Sequence, residues 1–211
     1  MSATLEVFAD VGCPFTHLGL LRLVEERQRR ERADVVLRVR AWPLELVNGR
    51  PLDAEFIAEE VDDLRAQVAP GAFANFQQSA FPNSTLPAMC LVAAAGDNLE
   101  LAETLSLEVR TALFEDGLNV ANPDVLAAIA AGHQMGWKGD TDQLAELTEA
   151  IHDDWEEGRR RGVIGSPHFF TPSGGFFCPA LDVGRDHQGH LKVHEDPEGF
   201  ESFVAEVFSH P

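Results

Sequence analysis

Apolar and polar positions change rhythm several times along this chain, and each change marks an element. Leu5, Val7 and Ala9 alternate with Thr4, Glu6 and Phe8, the period-two pattern of a mostly buried strand. The period then becomes helical: Leu18, Leu21 and Val24 form a stripe that Leu20 and Leu23 widen, and the helix runs to about Arg32. Its charged stretch Glu25-Glu26-Arg27-Gln28-Arg29-Arg30 reads as a solvated helix end, because basic residues there complement the negative end of the helix dipole. Val35, Leu37, Val39 and Ala41 alternate with Val36, Arg38, Arg40 and Trp42 as a second strand. Strand, helix and strand of this size make a βαβ unit with a right-handed crossover, so the two strands are expected to be parallel.

Beyond Pro51 the strand signal fades and Ala, Leu, Glu and Asp dominate. Helices are expected from about Asp53 to Ala69, Leu86 to Gly96, Leu99 to Phe114, Pro123 to Met135 and Thr141 to Arg161, with Gly and Pro clusters between them. In the segment Pro70 to Pro87, Phe73, Phe76 and Phe81 stand among small polar residues. They either line a groove beside the site described below or pack the loop onto the core, and packing is preferred because aromatics bury large areas wherever they can. Strand patterning returns at His168-Phe169-Phe170 and Phe176-Phe177-Cys178, a hairpin about Pro172-Ser173-Gly174-Gly175. Ala180 to Val193 reads as an extended or hairpin segment turning at Asp186-His187-Gln188-Gly189. Pro197 to Phe208 is a last amphipathic helix, burying Phe200, Phe203, Val204 and Val207.

With 211 residues and 45% apolar composition, the chain can form one elaborated domain or a small domain with an insertion. A net charge of −19 argues against nucleic acid or an anionic membrane as a partner, since either needs a basic face. The acidity is concentrated in residues 53–161, which hold 21 of the 35 acidic residues but only 6 of the 16 basic ones. The start, Met1-Ser2-Ala3-Thr4-Leu5, has neither a basic nor an apolar leader region, and no apolar run is long enough to cross a bilayer, so a cytoplasmic location is expected. Cys13, Cys90 and Cys178 are too few and too scattered for a disulfide scaffold.

The chemistry is expected at Asp10-Val11-Gly12-Cys13-Pro14-Phe15-Thr16-His17-Leu18-Gly19, where the strand gives way to the helix. Pro14 suits the first helical position, which sets the Cys13 sulfur against free backbone N–H groups. Those donors and the helix dipole favour a thiolate and predict a lowered cysteine pKa. The plainer alternative is that Cys13 is a small buried hydrophobe. His17, one helical turn on, tunes the thiolate, donates a proton to a leaving thiol or is simply exposed, and His168 is open in the same way. His187, His190 and His194 lie about a turn with no helical pairing and no completing Cys or carboxylate, so no metal site is expected.

A Cys-Pro-x-x element after the first strand, with Gly162-Val163-Ile164-Gly165-Ser166-Pro167 ahead of a later strand, resembles the DsbA family of thioredoxin-fold proteins, particularly its FrnE-like branch. Trp42-Pro43-Leu44-Glu45-Leu46, Ser84-Thr85-Leu86-Pro87-Ala88, Leu113-Phe114-Glu115-Asp116-Gly117 and Asn122-Pro123-Asp124-Val125-Leu126 are similar to further family segments, so the resemblance covers most of the chain. It implies an α/β thioredoxin-like fold, made by residues 1–52 and 162–211, with an all-helical insertion at 53–161 between the second strand and the cis-proline strand. It also implies that the Ser166-Pro167 bond is cis and faces Cys13. One departure matters: redox-active relatives carry Cys-x-x-Cys, and here Thr16 stands where the second cysteine would be.

The first functional reading is a thiol-disulfide oxidoreductase with a single nucleophile. Cys13, Thr16 and His17 would do the chemistry, and Pro14, Phe15, Ser166 and Pro167 would bind the substrate. It needs no cofactor, and its partners are a thiol or disulfide substrate and glutathione as a possible co-substrate, in a monomer or a homodimer. Thr16 cannot release a mixed disulfide, so glutathione, another thiol, Cys90 or Cys178 must. The second reading is a glutathione-dependent isomerase or transferase similar to 2-hydroxychromene-2-carboxylate isomerase or the kappa-class glutathione transferases, which carry Ser at the Cys13 position. The third is a redox-inactive binding or chaperone module.

Overall fold

The computed structural model describes residues 3–187 and 189–209; Met1, Ser2, Gln188 of the expected Asp186–Gly189 turn, and residues 210 and 211 lie outside them. Strands β1 (Ala3–Ala9) and β2 (Val35–Ala41) pair in parallel, from Ala3 with Val35 to Ala9 with Ala41, and α1 (Pro14–Arg29) joins them. This is the expected βαβ unit. A short α2 (Leu44–Asn48) follows, then α3 (Ala54–Gln67), α4 (Leu86–Ala93), α5 (Leu99–Phe114), α6 (Pro123–Gly132) and α7 (Thr141–Arg161). The chain returns to the sheet as β3 (His168–Thr171), antiparallel to β1, and β4 (Gly174–Phe177), giving the order β2-β1-β3-β4. Strands β5 (Leu181–Arg185) and β6 (Leu191–Glu195) form a separate two-stranded sheet before α8 (Pro197–Ser209). The chain therefore has the thioredoxin-like α/β fold, with α3–α7 inserted between β2 and β3.

Both faces of the sheet are covered, which explains why Phe8, on the polar side of the β1 alternation, is fully buried. On one face Leu5, Val7 and Ala9 meet Leu20 and Leu23 of α1 and Phe203, Val204 and Phe208 of α8. Phe8, Trp42 and Val163 pack on the other face, with Trp155 and Phe170 at their edge. Each such side chain, fully buried, contributes roughly 1.5–3 kcal/mol. A Cβ on Gly158 of α7 would stand 2.6 Å from Trp42, so only glycine lets that helix lie on the ring.

The helical segment packs Ile57, Val61 and Leu64 of α3, Leu105 and Val109 of α5 and Leu126 of α6 into a core that it shares with Val11, Leu18 of α1, Leu181 of β5 and Val193 of β6. Four of its helices start where a side chain accepts a free N–H group of the first turn: Asp53, Asn98, Asn122 and Asp140 are N-caps of α3, α5, α6 and α7. Each such cap contributes about 1 kcal/mol. Two carboxylates attach this segment to the edge strand. Glu103 of α5 accepts from the Leu37 N–H (2.7 Å) and from Arg27, and Asp154 of α7 accepts from the Ala41 N–H (3.0 Å) and from Arg40. No described helix is long and apolar enough to cross a membrane.

Candidate active site

β1 ends at Ala9, and four residues later Cys13 is the N-cap of α1 with Pro14 at the first helical position, as the sequence pattern predicts. Cys13 is 4% exposed, and its thiol donates to the Ser166 carbonyl oxygen at 3.0 Å. The Ser166-Pro167 bond is cis. Pro167 packs against α1, since a Cβ on Gly19 would meet its ring at 3.4 Å. The two stretches, some 150 residues apart, thus lie against one another.

A short chain of hydroxyls runs through it. The Asp10 N–H donates to Ser166 Oγ (2.8 Å), and Ser166 Oγ lies 2.6 Å from Thr16 Oγ1 in a bond whose donor can be either group. When Ser166 donates to Thr16, the Thr16 hydroxyl is free to donate to the Cys13 sulfur. Burial pushes the Cys13 thiol up from its ordinary value, while the Thr16 hydroxyl and backbone N–H pull it down less strongly. The direction is opposite to the lowering expected from the helix start alone. The pattern showed the helix terminus but not how deeply the Ser166 turn covers the sulfur, and desolvation outweighs the dipole.

Beneath the cysteine lies a buried pair that sequence reasoning did not single out. Asp10 is fully buried and accepts from the N–H groups of Gly12 (2.7 Å) and Leu44 (2.6 Å) and from the Thr85 hydroxyl (3.4 Å). Burial raises its carboxyl to about 6 against those donors and the Arg110 charge. Arg110, 1% exposed, donates to the Asp10 carbonyl (3.0 Å) and to the carbonyl and hydroxyl of Ser106. Burial lowers Arg110 to about 10, with Asp10 and Cys13 opposing. The Asp10–Arg110 network holds the β1–α1 loop in place. Asp10 stood in the quoted decapeptide, but nothing local marks Arg110 as its partner.

His17 is buried, and its Nε2 lies 2.7 Å from Glu115 Oε1, with the ring between Phe73 and Phe114 at 5.5 and 5.1 Å. Burial lowers its pKa, so the neutral ring donates its Nε2–H to the carboxylate. Burial alone would raise Glu115, but bonds from His17 and from the N–H groups of Ala74 and Phe73 outweigh it and bring Glu115 down. His17 therefore ties α1 to the Phe73 loop, and no hydrogen bond runs from its ring to the Cys13 sulfur. Of the three loop aromatics, Phe73 and Phe81 are buried and Phe76 stacks on Phe114, the packing arrangement preferred above. Phe81, Thr85 and Leu52 come so near Gly12 that a Cβ there would stand 3.0–3.1 Å from each.

Phe15 is half-buried and lines a small recess with Pro167 and Cys178. The Cys178 N–H donates to the Pro167 carbonyl (3.2 Å), and burial, then the nearby Cys13 charge, push its thiol far up. Cys90 is away from the site, its sulfur facing the Leu144 carbonyl and the Thr148 hydroxyl in the helical core. All three cysteines are free thiols. His168 accepts the Ile164 N–H (3.2 Å) and stacks on Phe170. Among the described residues, no cluster of three or more His, Cys, Asp or Glu could hold a metal ion.

Residues 4–186 match the model of the DSBA-like thioredoxin domain. Among solved structures, the cytosolic disulfide reductase DsbM from Pseudomonas aeruginosa with GSH is similar at a TM-score of 0.62 and 15% identity, covering 99% of this chain and 100% of that one. A 2-hydroxychromene-2-carboxylate isomerase is similar at a TM-score of 0.60 and 16% identity, over 82% of this chain and 88% of that one. At these identities the likeness is one of fold. No curated protein matches the sequence.

Proposed function

The chain belongs to the DSBA-like thioredoxin family, and we propose that within it, in the FrnE-like branch, it catalyses thiol-disulfide exchange through Cys13 alone. The observation that carries this reading is the contact of the Cys13 sulfur with the Ser166 carbonyl beside cis-Pro167, with the Thr16 hydroxyl one helical turn on in place of a second thiol.

Resting Cys13 is a thiol whose proton is bound to the Ser166 oxygen. An extended substrate that pairs its own N–H with that carbonyl removes the bond favouring the protonated form, so the sulfur ionises more readily once substrate is in place. The Thr16 N–H and hydroxyl then support the thiolate. The thiolate attacks one sulfur of a disulfide, the Cys13 mixed disulfide forms, and the other sulfur leaves as a thiolate that takes up a proton. Thr16 has no sulfur with which to break the mixed disulfide. A glutathione thiolate attacks it instead, forming a new disulfide that carries off the substrate's sulfur or a second glutathione and restoring Cys13. A structure of the same fold solved with GSH supports this choice of thiol, and a reducing, cytoplasmic compartment would supply it. Ser166, Pro167, Pro14 and Phe15 form the substrate side of the site, while His17 positions α1.

The test is to react the reduced protein with oxidised glutathione and map the adduct by mass spectrometry. One glutathione on Cys13, absent from Cys13→Ser, is expected. An adduct confined to Cys90 or Cys178, or none, would overturn the proposal, and no adduct would favour the isomerase or binding-module reading.

A further inference from the structure

A second cavity, of about 360 Å³, lies between edge strand β2 and helices α4, α5 and α7. None of Cys13, Pro14, Phe15, Thr16, His17, Ser166 and Pro167 lines it. Its size falls in the range of small-molecule pockets, roughly 300–1,000 Å³. Val11, Val39, Met89, Val92 and Ile151 give it an apolar body. Its charged walls are three arginines, Arg38, Arg40 and Arg110, against two carboxylates, Asp97 and Asp154. That positive excess stands out in a chain of net charge −19.

Arg110 is the second, independent observation. Both of its Nη atoms are used inside the protein, Nη1 by Ser106 and Nη2 by the Asp10 carbonyl, but its buried Nε has no hydrogen-bond partner. A guanidinium N–H removed from water without an acceptor is an unmet donor inside the protein. Arg40, by contrast, is bonded to Asp154 and Glu6.

We infer that this cavity binds a small organic anion, a monocarboxylate with an apolar body, whose carboxylate is held at the wall formed by Arg38 and Arg110 while its hydrocarbon part fills the space between β2 and α4. The exposed Arg38 at the same cavity adds long-range attraction for an anion entering it. This site does not rest on the redox reading, although Arg110 also holds the β1–α1 loop through the Asp10 carbonyl.

Isothermal titration calorimetry of the full chain with octanoate, octan-1-ol and octylamine tests this. Octanoate is expected to bind at one per chain, and the neutral and cationic analogues roughly tenfold or more weakly, since each lacks the charge-assisted bond. Ala93→Phe, which fills the cavity, should abolish octanoate binding. Arg38→Glu, at an exposed position that does not endanger folding, should weaken octanoate and leave octan-1-ol unchanged. No octanoate binding to the wild type, equal binding of octan-1-ol, or octanoate binding untouched by both variants would each overturn the inference.

Discussion

Replacing Ser166 by alanine removes one oxygen on which two buried groups depend. Ser166 is 6% exposed, and its Oγ accepts the Asp10 N–H at 2.8 Å and bonds Thr16 Oγ1 at 2.6 Å. Alanine fits the same backbone and leaves the Ser166-Pro167 turn sterically undisturbed, so the loss is one of hydrogen bonding. A buried polar group left without a partner costs about 1–3 kcal/mol. The Asp10 N–H cannot turn elsewhere and incurs that cost in full. The Thr16 hydroxyl can rotate toward the Cys13 sulfur and recovers part of its own. The sum is about 2–4 kcal/mol, which for a domain of this size lowers Tm by roughly 4–15 °C. Thermal unfolding followed by circular dichroism at neutral pH reads it, with the exposed Ser79→Ala as a control that should stay within about 0.5 kcal/mol of wild type. A Ser166→Ala protein melting within about 2 °C of wild type would refute the claim that this hydroxyl knits the Cys13 and Pro167 stretches together.

Further outcomes follow from the same geometry. Asp10 and Glu60 have carboxyls raised by burial to about 6 and about 7. Their contribution to stability is therefore present below the ordinary carboxylate range and is lost as pH rises through about 6 to 7. Denaturant unfolding between pH 4 and pH 8 should show a smaller decline in an Asp10→Asn, Glu60→Gln double variant than in wild type. Gly158→Val should destabilise by about 1–3 kcal/mol or more, read by the same unfolding curves, because its Cβ would meet Trp42 at 2.6 Å and Phe8 at 3.0 Å. Thr16→Cys places a second thiol on the Cys13 face of α1 and should raise insulin reduction from low to readily measurable. A variant that forms its disulfide but turns nothing over would point to a groove unsuited to redox work.

The elements that sequence patterning located best are those with strong local punctuation. The α5 and α7 ranges match the expected Leu99–Phe114 and Thr141–Arg161, because Asn98 and Asp140 cap them and Gly162, at φ 74°, terminates α7. Helix α2 was not anticipated, since its five residues are too few to show a period. Helices α4 and α6 end three residues before expectation, at Ala93 and Gly132, and past each end the chain turns through a left-handed residue, Gly96 at φ 57° and Gln134 at φ 55°. Cys13, Thr16, Ser166 and Pro167 were legible as two motifs, and the fold brings them together. The Asp10–Arg110 and His17–Glu115 contacts were not, because each joins residues about 100 positions apart and neither partner is unusual in its own neighbourhood. The direction of the Cys13 shift was missed for the same reason: burial is a property of the assembled site.

The central claim is that one sulfur carries the exchange, and glutathione-dependent reduction of bis(2-hydroxyethyl) disulfide tests it most directly. Wild type and a Cys90→Ser, Cys178→Ser double variant should turn over at the same rate within about twofold, and Cys13→Ser should fall to the uncatalysed rate, a full loss of transition-state stabilisation. Activity that survives Cys13→Ser, or that disappears when Cys90 and Cys178 are removed while Cys13 remains, would contradict a single-cysteine mechanism.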